Sequence, residues 1–409
     1  MQSYSKGFRK VMLIISLLAL NIVEQAASAI SGAIPQMASA FPQQSEVHVE
    51  LVTTVVSIFV TFFVLVSGFI TKWIGQKQTA VLGLSVAAVS SIIPAFSSNF
   101  MAIMVSRAVL GIGIGLANPL AISLIGEFFH GDTLANLMGW RSAVASVGVS
   151  VMTFLACQLL QISWHAAYWV YLLFIPTLVL FIIFVPSPEK VMKNNQNINV
   201  EKKDNKKKGD SNEVAPKGAL LTAISLAALL LVYMSCAMVS YIKLASMYVQ
   251  TGIGTPTQAS TAISILGFAQ LIGGALFGMA FKFFKKNVLP LGVGLSGITM
   301  ILMTFSTNTV MIAVLGGLSG LFGGMAVPYI FTKINMMSTT KTAPLNNALV
   351  LVGSNLGSFV APFFASALGG TALISLRNAG WVIILLTVII VIALAFNRNQ
   401  NSQQLSQTH

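Results

Sequence analysis

Glu24 is the residue whose type and position point most directly to chemistry. It lies midway along an apolar segment, after Leu20-Asn21-Ile-Val. An ionised carboxylate at that depth is costly, so we expect Glu24 to be protonated, paired, or exposed to a wet cavity. An apolar environment favours the protonated carboxyl group and a nearby cation favours the ionised one, so alternation between the two would load and release a proton. The alternative is a carboxyl group permanently hydrogen-bonded inside the protein.

The other acidic residues are less suitable as proton carriers. No Asp or Glu follows Glu213, so a carboxylate carrier must lie in the first half of the chain. Glu46 and Glu50 belong to a loop or to the edge of the next apolar segment, and Glu127 lies at the end of another. Glu24 is therefore the best-placed candidate.

Two cations also lie within apolar segments. Arg107 cannot lose its charge, so it requires a carboxylate, backbone carbonyls, water or an anionic substrate; otherwise it snorkels to the interface. Lys243 either snorkels or faces a central cavity, where it would favour anionic or electron-rich substrates. The candidate substrate-binding residues are Asn21, Glu24, Arg107, Tyr233, Tyr241, Lys243 and Gln270.

Several other kinds of chemistry have no sequence signal. The two cysteines, Cys157 and Cys236, lie in apolar runs, and the histidines are scattered over predicted loops. The Walker spacing, the HExxH zinc motif and the GxSxG nucleophile elbow are absent. We therefore expect no enzyme activity, no metal site and no cofactor.

The composition places these residues in a membrane protein. The chain has 409 residues, of which 56% are apolar and only 8% charged, and a mean hydropathy of +0.84. Soluble domains carry charge on about a quarter of their residues. The net charge of +13 could suggest nucleic acid, but the apolar content favours a lipid bilayer as the partner and cationic loops as the reason.

Apolar segments long enough to cross a bilayer recur along the whole chain. A spanning helix needs about 20 predominantly apolar residues, because its backbone groups must be paired internally. Twelve predicted spans lie at 11–33, 51–72, 78–97, 100–126, 141–161, 166–186, 218–242, 259–282, 287–306, 309–333, 343–368 and 379–396.

The distribution of charge predicts the orientation of these spans. Alternate loops contain lysine or arginine, including eight lysines within 186–217, whereas the intervening loops 97–99, 163–165 and 306–308 contain neither. Cationic loops remain on the cytoplasmic side. Both termini and the segment 186–217 are therefore predicted to be cytoplasmic.

The polar segment 186–217 divides the spans into six and six, and the halves resemble each other. Gly111-x3-Gly115-x3-Pro119 recurs as Gly320-x3-Gly324-x3-Pro328. We predict an all-α integral membrane protein of twelve transmembrane helices in two pseudo-symmetric six-helix bundles, 1–185 and 218–409, joined by a basic linker. Duplicated halves of this kind are typical of transporters.

The sequence resembles the major facilitator superfamily, and within it the twelve-span drug and metabolite antiporter branch. The segment Arg107-Ala-Val-Leu-Gly111-Ile-Gly113-Ile-Gly115-Leu-Ala-Asn-Pro119 is similar to the fourth-span motif of that family. The resemblance implies a role in proton handling for Arg107, beside the proton carrier Glu24.

Two further motifs of the family are incomplete here. The loop Gly68-Phe-Ile-Thr71-Lys72-Trp-Ile-Gly75-Gln76-Lys77 has Thr71 in place of the usual acid and Gln76 at a usually basic position. The fifth span lacks the expected glycine-proline pair, whereas the eleventh has Gly353-x3-Gly357-x3-Ala361-Pro362. The conformational residues we expect are Gly68, Lys72, Gly75, Lys77, Gly111, Gly115, Pro119, Gly357 and Pro362.

These observations favour a secondary transporter in a bacterial-type cell membrane. We expect proton-coupled efflux of a small amphipathic organic compound by a monomer that alternates access to a central site. Its partners would be the lipid bilayer, the solute and protons, with no nucleic acid. Uptake or exchange of an organic anion is the alternative that the intramembrane cations favour. A non-transporting receptor or scaffold is an alternative of another class, which the incomplete loop motif favours.

Overall fold

The computed structural model describes residues 7–23, 26–129, 131–187, 219–337 and 343–406, and every element of secondary structure within these ranges is helical. The first half contains α1 (Gly7–Ala19), α2 (Ile34–Ala40), α3 (Glu46–Ile74), α4 (Gln76–Ile92), α5 (Phe100–Phe128), α6 (Gly131–Leu159), α7 (Trp164–Ala167) and α8 (Phe174–Phe184). The second half contains α9 (Ala219–Thr251), α10 (Pro256–Phe284), α11 (Val288–Met303), α12 (Thr309–Gly323), α13 (Ala326–Met337), α14 (Ala343–Leu368) and α15 (Ala372–Ser406).

Many of these helices are suited to crossing a bilayer. Within the described ranges, nine helical stretches are long and apolar enough, or ten if the bent pair Gly7–Ile22 and Ala26–Ala40 counts as one span. One of the nine, Pro256–Met303, contains both α10 and α11, which the short 3₁₀ turn Lys285–Asn287 separates. Helix α6 contributes the shorter apolar stretch Val147–Leu159.

Contacts between Cα atoms divide the chain into two compact units. The N-terminal unit comprises Met1–Ile30 and Gln36–Lys217, and the C-terminal unit comprises Ser31–Pro35 and Gly218–His409.

The first predicted span, 11–33, is not one continuous helix. After α1 the chain forms a 3₁₀ turn at Leu20–Ile22 and then a 3₁₀ helix at Ala26–Ala33, and the direction of the span bends by 46° between its two arms. Residues 24 and 25 lie outside the described part of the chain. The second arm begins with small residues and contains serine and glycine, which favour the α-helix less than leucine does. The span predicted at 11–33 therefore changes from α-helical to 3₁₀-helical backbone along its length.

Glycines in α5 allow close packing in the N-terminal unit. A Cβ atom on Gly111 would collide with the backbone carbonyl of Val56, and one on Gly115 with that of Val60, both on α3. The spacing of four residues repeats on both helices, so two successive turns of α5 meet two successive turns of α3. Small residues that bring backbones together are a common means of association between helices in membranes.

The same arrangement recurs in the C-terminal unit. Gly320 of α12 and Gly324, which caps the C-terminus of that helix, pack against the backbone carbonyls of Leu266 and Gln270 on α10, again four residues apart on each side. Gly357 of α14 packs similarly against the carbonyl of Leu231 on α9. The repeated sequence pattern therefore corresponds to a repeated helix contact, and the contact explains why glycine occupies these positions.

The N-termini of α5 and α12 are also built alike. The side-chain oxygen of Asn99 accepts hydrogen bonds from the backbone N–H groups of Met101 and Ala102, at 2.9 and 3.3 Å. Asn308 caps α12 in the same way, through residues 310 and 311 at 2.8 and 3.3 Å. Such caps satisfy backbone donors that lack a partner within the helix.

Candidate functional site

Arg107 is fully buried on α5, with 0% of its surface exposed, and it lies in the N-terminal unit. Its Nε donates a hydrogen bond to the carbonyl oxygen of Val52 at 2.9 Å, and one Nη donates to the Tyr171 hydroxyl at 3.0 Å. The other Nη donates to the carbonyl oxygen of Ala27 at 2.7 Å. Arg107 therefore does not snorkel, and its charge is stabilised by oxygen acceptors from three different segments.

Tyr171 completes this cluster of hydrogen bonds. Its hydroxyl accepts from Arg107 and donates to the carbonyl oxygen of Ala26 at 2.9 Å. The guanidinium carbon of Arg107 also lies 5.2 Å from the centre of the Tyr171 ring and 6.0 Å from that of Tyr168, within the range of cation–π attraction. The two aromatic rings thus surround a cation that the bilayer alone could not solvate.

The cluster acts on the interrupted part of the first span. Ala26 and Ala27 begin the 3₁₀ helix, and their carbonyl oxygens accept from Tyr171 and Arg107. Irregular backbone at membrane depth is tolerated when other groups satisfy its carbonyls. We conclude that this cluster holds the interrupted segment in place. Glu24 precedes it by two residues in the sequence and lies outside the described residues.

Asn21 lies in the 3₁₀ turn just before this interruption. Its Nδ2 donates to the carbonyl oxygens of Leu17 and Leu18, each at 3.1 Å, whereas its buried Oδ1 has no hydrogen-bond partner among the described residues. Asn21 and Asn118 line a small cavity of about 10 Å³ between this turn and α5. That volume is close to the minimum for one water molecule.

A larger cavity lies within the C-terminal unit and has a volume of about 70 Å³. Three of the predicted substrate-binding residues, Tyr233 and Tyr241 of α9 and Gln270 of α10, line it together. The remaining lining residues are Met234, Ala237, Met238, Ser240, Leu266, Ser296, Met300, Ser319, Gly320, Gly323, Ser358 and Ile383.

The polar side chains of this cavity are connected to one another and to the backbone. The Tyr241 hydroxyl donates to Gln270 Oε1 at 2.9 Å, and Ser319 Oγ donates to the carbonyl oxygen of Ser296 at 3.2 Å. Tyr233 packs its hydroxyl against Gly323, where any Cβ atom would collide with it. The serines gave no signal in the sequence, because serine is common in these spans and its facing is not encoded in apolar periodicity.

Lys243 does not line this cavity. Its side chain is only 3% exposed, so it does not snorkel either. At 100° per residue, Lys243 lies about 200° around α9 from Tyr241. Gln250, seven residues further on the same face, accepts from the backbone N–H of Ala372 at the start of α15, at 2.9 Å. Lys243 and Gln250 therefore lie on the same face of α9, and Gln250 contacts the start of α15.

The connection between α3 and α4 contains the predicted loop motif. Gly75 caps the end of α3 and the start of α4. Its φ of 87° is a backbone conformation that residues other than glycine rarely adopt. Lys77 Nζ donates to the carbonyl oxygen of Ile182, at 2.8 Å, near the end of α8. Lys72 lies 5.7 Å from the Phe69 ring centre, and a Cβ atom added to Gly68 would meet no neighbour. Gly75 and Lys77 therefore have clear local roles, whereas no close contact requires glycine at Gly68.

Gln76, one of the departures from the motif, forms the central contact of this connection. Its Nε2 donates to Glu127 Oε1, and its Oε1 accepts from Ser123 Oγ at 3.0 Å. Both partners lie on α5, so a neutral amide links the start of α4 to the end of α5.

Of the two predicted prolines, Pro119 lies inside α5 and Pro362 inside α14, and each removes one backbone donor from its helix.

Comparison with known proteins agrees with this architecture. The sequence matches the Major Facilitator Superfamily over residues 14–251 and 225–408. None of the curated protein sequences compared with the chain matches it. The fold is similar to the crystal structure of a D-xylose-proton symporter, with a TM-score of 0.70 at 14% identity, covering 93% of this chain and 96% of that one. It is also similar to a peptide transporter POT in complex with sulfate, with a TM-score of 0.73 at 12% identity, covering 95% and 96%.

These matches, together with the helical architecture, confirm the predicted all-α membrane protein with a major facilitator fold. They also indicate a transporter rather than an enzyme. The family match extends over nearly the whole sequence, and the chain therefore belongs to the Major Facilitator Superfamily.

Proposed function

We propose that this protein is a secondary active transporter that exports a small amphipathic organic solute in exchange for protons. The observation that carries the proposal is the cavity in the C-terminal unit, where tyrosine, glutamine and serine side chains meet methionine, leucine and isoleucine. A site with a few polar groups among apolar ones suits a solute that is itself partly polar and partly apolar.

The proposed transport cycle requires two bundles that alternate access to the solute. We assign the bundles to residues 1–185 and 218–409 and the linker to 186–217, with both termini in the cytoplasm of a bacterial-type cell and the protein acting as a monomer. The distribution of lysine and arginine supports this orientation.

Proton coupling is assigned to Glu24 and Arg107. Glu24 would carry the proton, because it is an acidic residue at mid-span and no acid follows Glu213. Arg107 would act on Glu24 through the backbone, since it hydrogen-bonds to the carbonyl of Ala27, three residues later. One proton charge crossing a membrane potential of 100 mV releases about 2.3 kcal/mol, enough for modest accumulation of a solute.

Two other functions are alternatives to export. Uptake or exchange of an organic anion is favoured by the buried cations Arg107 and Lys243. Because neither residue lines the cavity of the C-terminal unit, we rank it second. A non-transporting receptor is favoured by the loop residues Thr71 and Gln76, yet Gln76 retains a contact with α5.

Flux into proteoliposomes tests the proposal. An imposed pH gradient should drive movement of a labelled amphipathic compound, and Glu24→Gln should abolish the dependence on that gradient. Glu46→Gln is the matched control, the same chemical change in the first turn of α3, and should retain it. If proton dependence survives Glu24→Gln, the coupling assignment is wrong. If no compound moves under any gradient, the receptor alternative gains support.

A further inference from the structure

We infer that the cavity of the C-terminal unit binds an uncharged, hydrogen-bonding group of the solute, such as a hydroxyl or a carboxamide. The inference rests on the proposed transport function and specifies the class of substrate at this site. Three properties of the cavity support it: the charge of its walls, the hydrogen bonds its side chains can still form, and its volume.

The cavity offers no counter-ion to a charged group. None of its fifteen lining residues is Asp, Glu, Lys, Arg or His. A cation would also find no carboxylate elsewhere in 218–409, because no Asp or Glu follows Glu213. An anion would find Lys243 on a different face of α9. Transfer of an ion from water to such a site is strongly unfavourable unless a partner compensates for it.

The hydrogen-bonding capacity of the walls is suited to a neutral polar group. The Gln270 carbonyl oxygen is occupied by the Tyr241 hydroxyl, which leaves the two N–H bonds of the Gln270 amide as donors. Ser319 and Ser358 donate to backbone carbonyls at 3.2 and 3.1 Å, so their oxygens remain acceptors. A hydroxyl or carboxamide can donate and accept at once, and it therefore matches both sets of groups.

The volume limits how much of the solute this cavity receives. About 70 Å³ of accessible space is enough for about five water molecules, which corresponds to a small polar end group rather than to a whole drug-sized compound. Met234, Met238 and Met300 adjoin the polar side chains, and methionine adapts readily to apolar groups of different shape. An aliphatic or aromatic continuation of the solute would pack against them.

Matched compounds that differ only in the end group test the inference. We would measure stabilisation of the purified full-length protein by phenylbutanol, phenylbutanamide, phenylbutanoate and phenylbutylamine, and by the corresponding sets built on cyclohexyl and decyl chains. The alcohol or amide of a set should bind about a hundredfold more tightly than its carboxylate or amine. Equal or tighter binding of a charged member overturns the inference, as does the absence of binding by every uncharged member.

A charge substitution in the wall provides the second test. Gln270→Glu is nearly isosteric and introduces a carboxylate, so it should weaken alcohol binding about tenfold and improve amine binding by at least as much. Gln258→Glu is the matched control on the same helix: Gln258 is exposed in the capping box of α10, and glutamate serves equally well there. If the ratio of alcohol affinity to amine affinity is the same in Gln270→Glu and Gln258→Glu, Gln270 does not contact the solute and the assignment is overturned.

These outcomes are separable from failure of the proposed transport function. If uncharged compounds bind selectively but none crosses a proteoliposome membrane under any gradient, the site assignment stands and transport fails. If charged members are transported as well as uncharged ones, transport stands and the assignment of the substrate class fails.

Discussion

Arg107 and Tyr171 hold two consecutive carbonyl groups of the first span, those of Ala27 and Ala26, and they also hydrogen-bond to each other at 3.0 Å. The two residues are 64 positions apart in the sequence and lie on different helical segments. Their cluster stabilises an interrupted helix at membrane depth, and the carbonyls that it holds follow the proposed proton carrier, Glu24, by two and three residues in the sequence. Several measurable consequences follow from this cluster and from the helix contacts around it.

Replacement of Tyr171 by phenylalanine should destabilise the protein by about 1–3 kcal/mol, because Arg107 loses an acceptor and the Ala26 carbonyl loses its donor. The free energy of unfolding of the purified protein in detergent measures the effect. Tyr168→Phe is the matched control, since within the described residues the Tyr168 hydroxyl donates only to the sulfur of Met37, at 3.6 Å. Equal losses in the two variants would contradict the role assigned to the Tyr171 hydroxyl.

Arg107→Lys should reduce flux driven by a pH gradient about tenfold or more, even though the positive charge is retained. A single ammonium group cannot reproduce the planar fork that reaches Val52, Ala27 and Tyr171 simultaneously. Arg9→Lys, an exposed change on α1, is the control and should transport normally. Near-normal flux in Arg107→Lys would contradict the prediction, because a positive charge at this position would then be sufficient for transport without the three hydrogen bonds.

Gly320→Ala should destabilise the C-terminal unit by about 1–3 kcal/mol, because the added methyl group collides with the Leu266 carbonyl. Gly278→Ala provides the comparison in α10. Its Cβ atom would meet no neighbour, and replacement of glycine within a helix should stabilise it by about 0.5–1 kcal/mol. Denaturant unfolding of both variants measures the difference, and equal stabilities would argue against the close helix contact.

Gln76→Leu should destabilise the N-terminal unit by about 1.5–3 kcal/mol, since the Glu127 carboxylate loses its amide donor and Ser123 loses an acceptor. Gln78→Leu is the matched control. Gln78 is exposed and lies two residues away, so its replacement should leave the stability of the protein almost unchanged. Thermal unfolding of both variants distinguishes them. A stable Gln76→Leu protein would show that the contact between α4 and α5 does not depend on this amide.

The helical architecture was predictable because long apolar runs leave few alternatives in a bilayer. Each of the twelve predicted segments overlaps helix in the described part of the chain. Several helices extend further, such as α3 and α9, whereas the segments 11–33 and 309–333 are each divided between more than one helix. The glycine pairs were predictable as well, because Gly111, Gly115, Gly320 and Gly324 follow a repeat that is visible in the sequence.

The contacts of individual side chains were not predictable in the same way. Tyr171 gave no signal, because a tyrosine in an apolar run is common and its partner is distant in the sequence. The interruption of the first span was missed since apolar composition does not distinguish 3₁₀ from α-helical backbone. Lys243 was predicted either to snorkel or to face the same cavity as Tyr241, yet two residues along a helix separate side chains by about 200°.

The glycine contacts described for α3 with α5, and for α10 with α12, restrict how the protein can move. Helices that touch backbone to backbone over two turns cannot slide along each other, because any change of register brings a side chain into the gap that glycine left. Each pair must therefore travel as a rigid body. Bending is left to segments of the chain that lack such a contact.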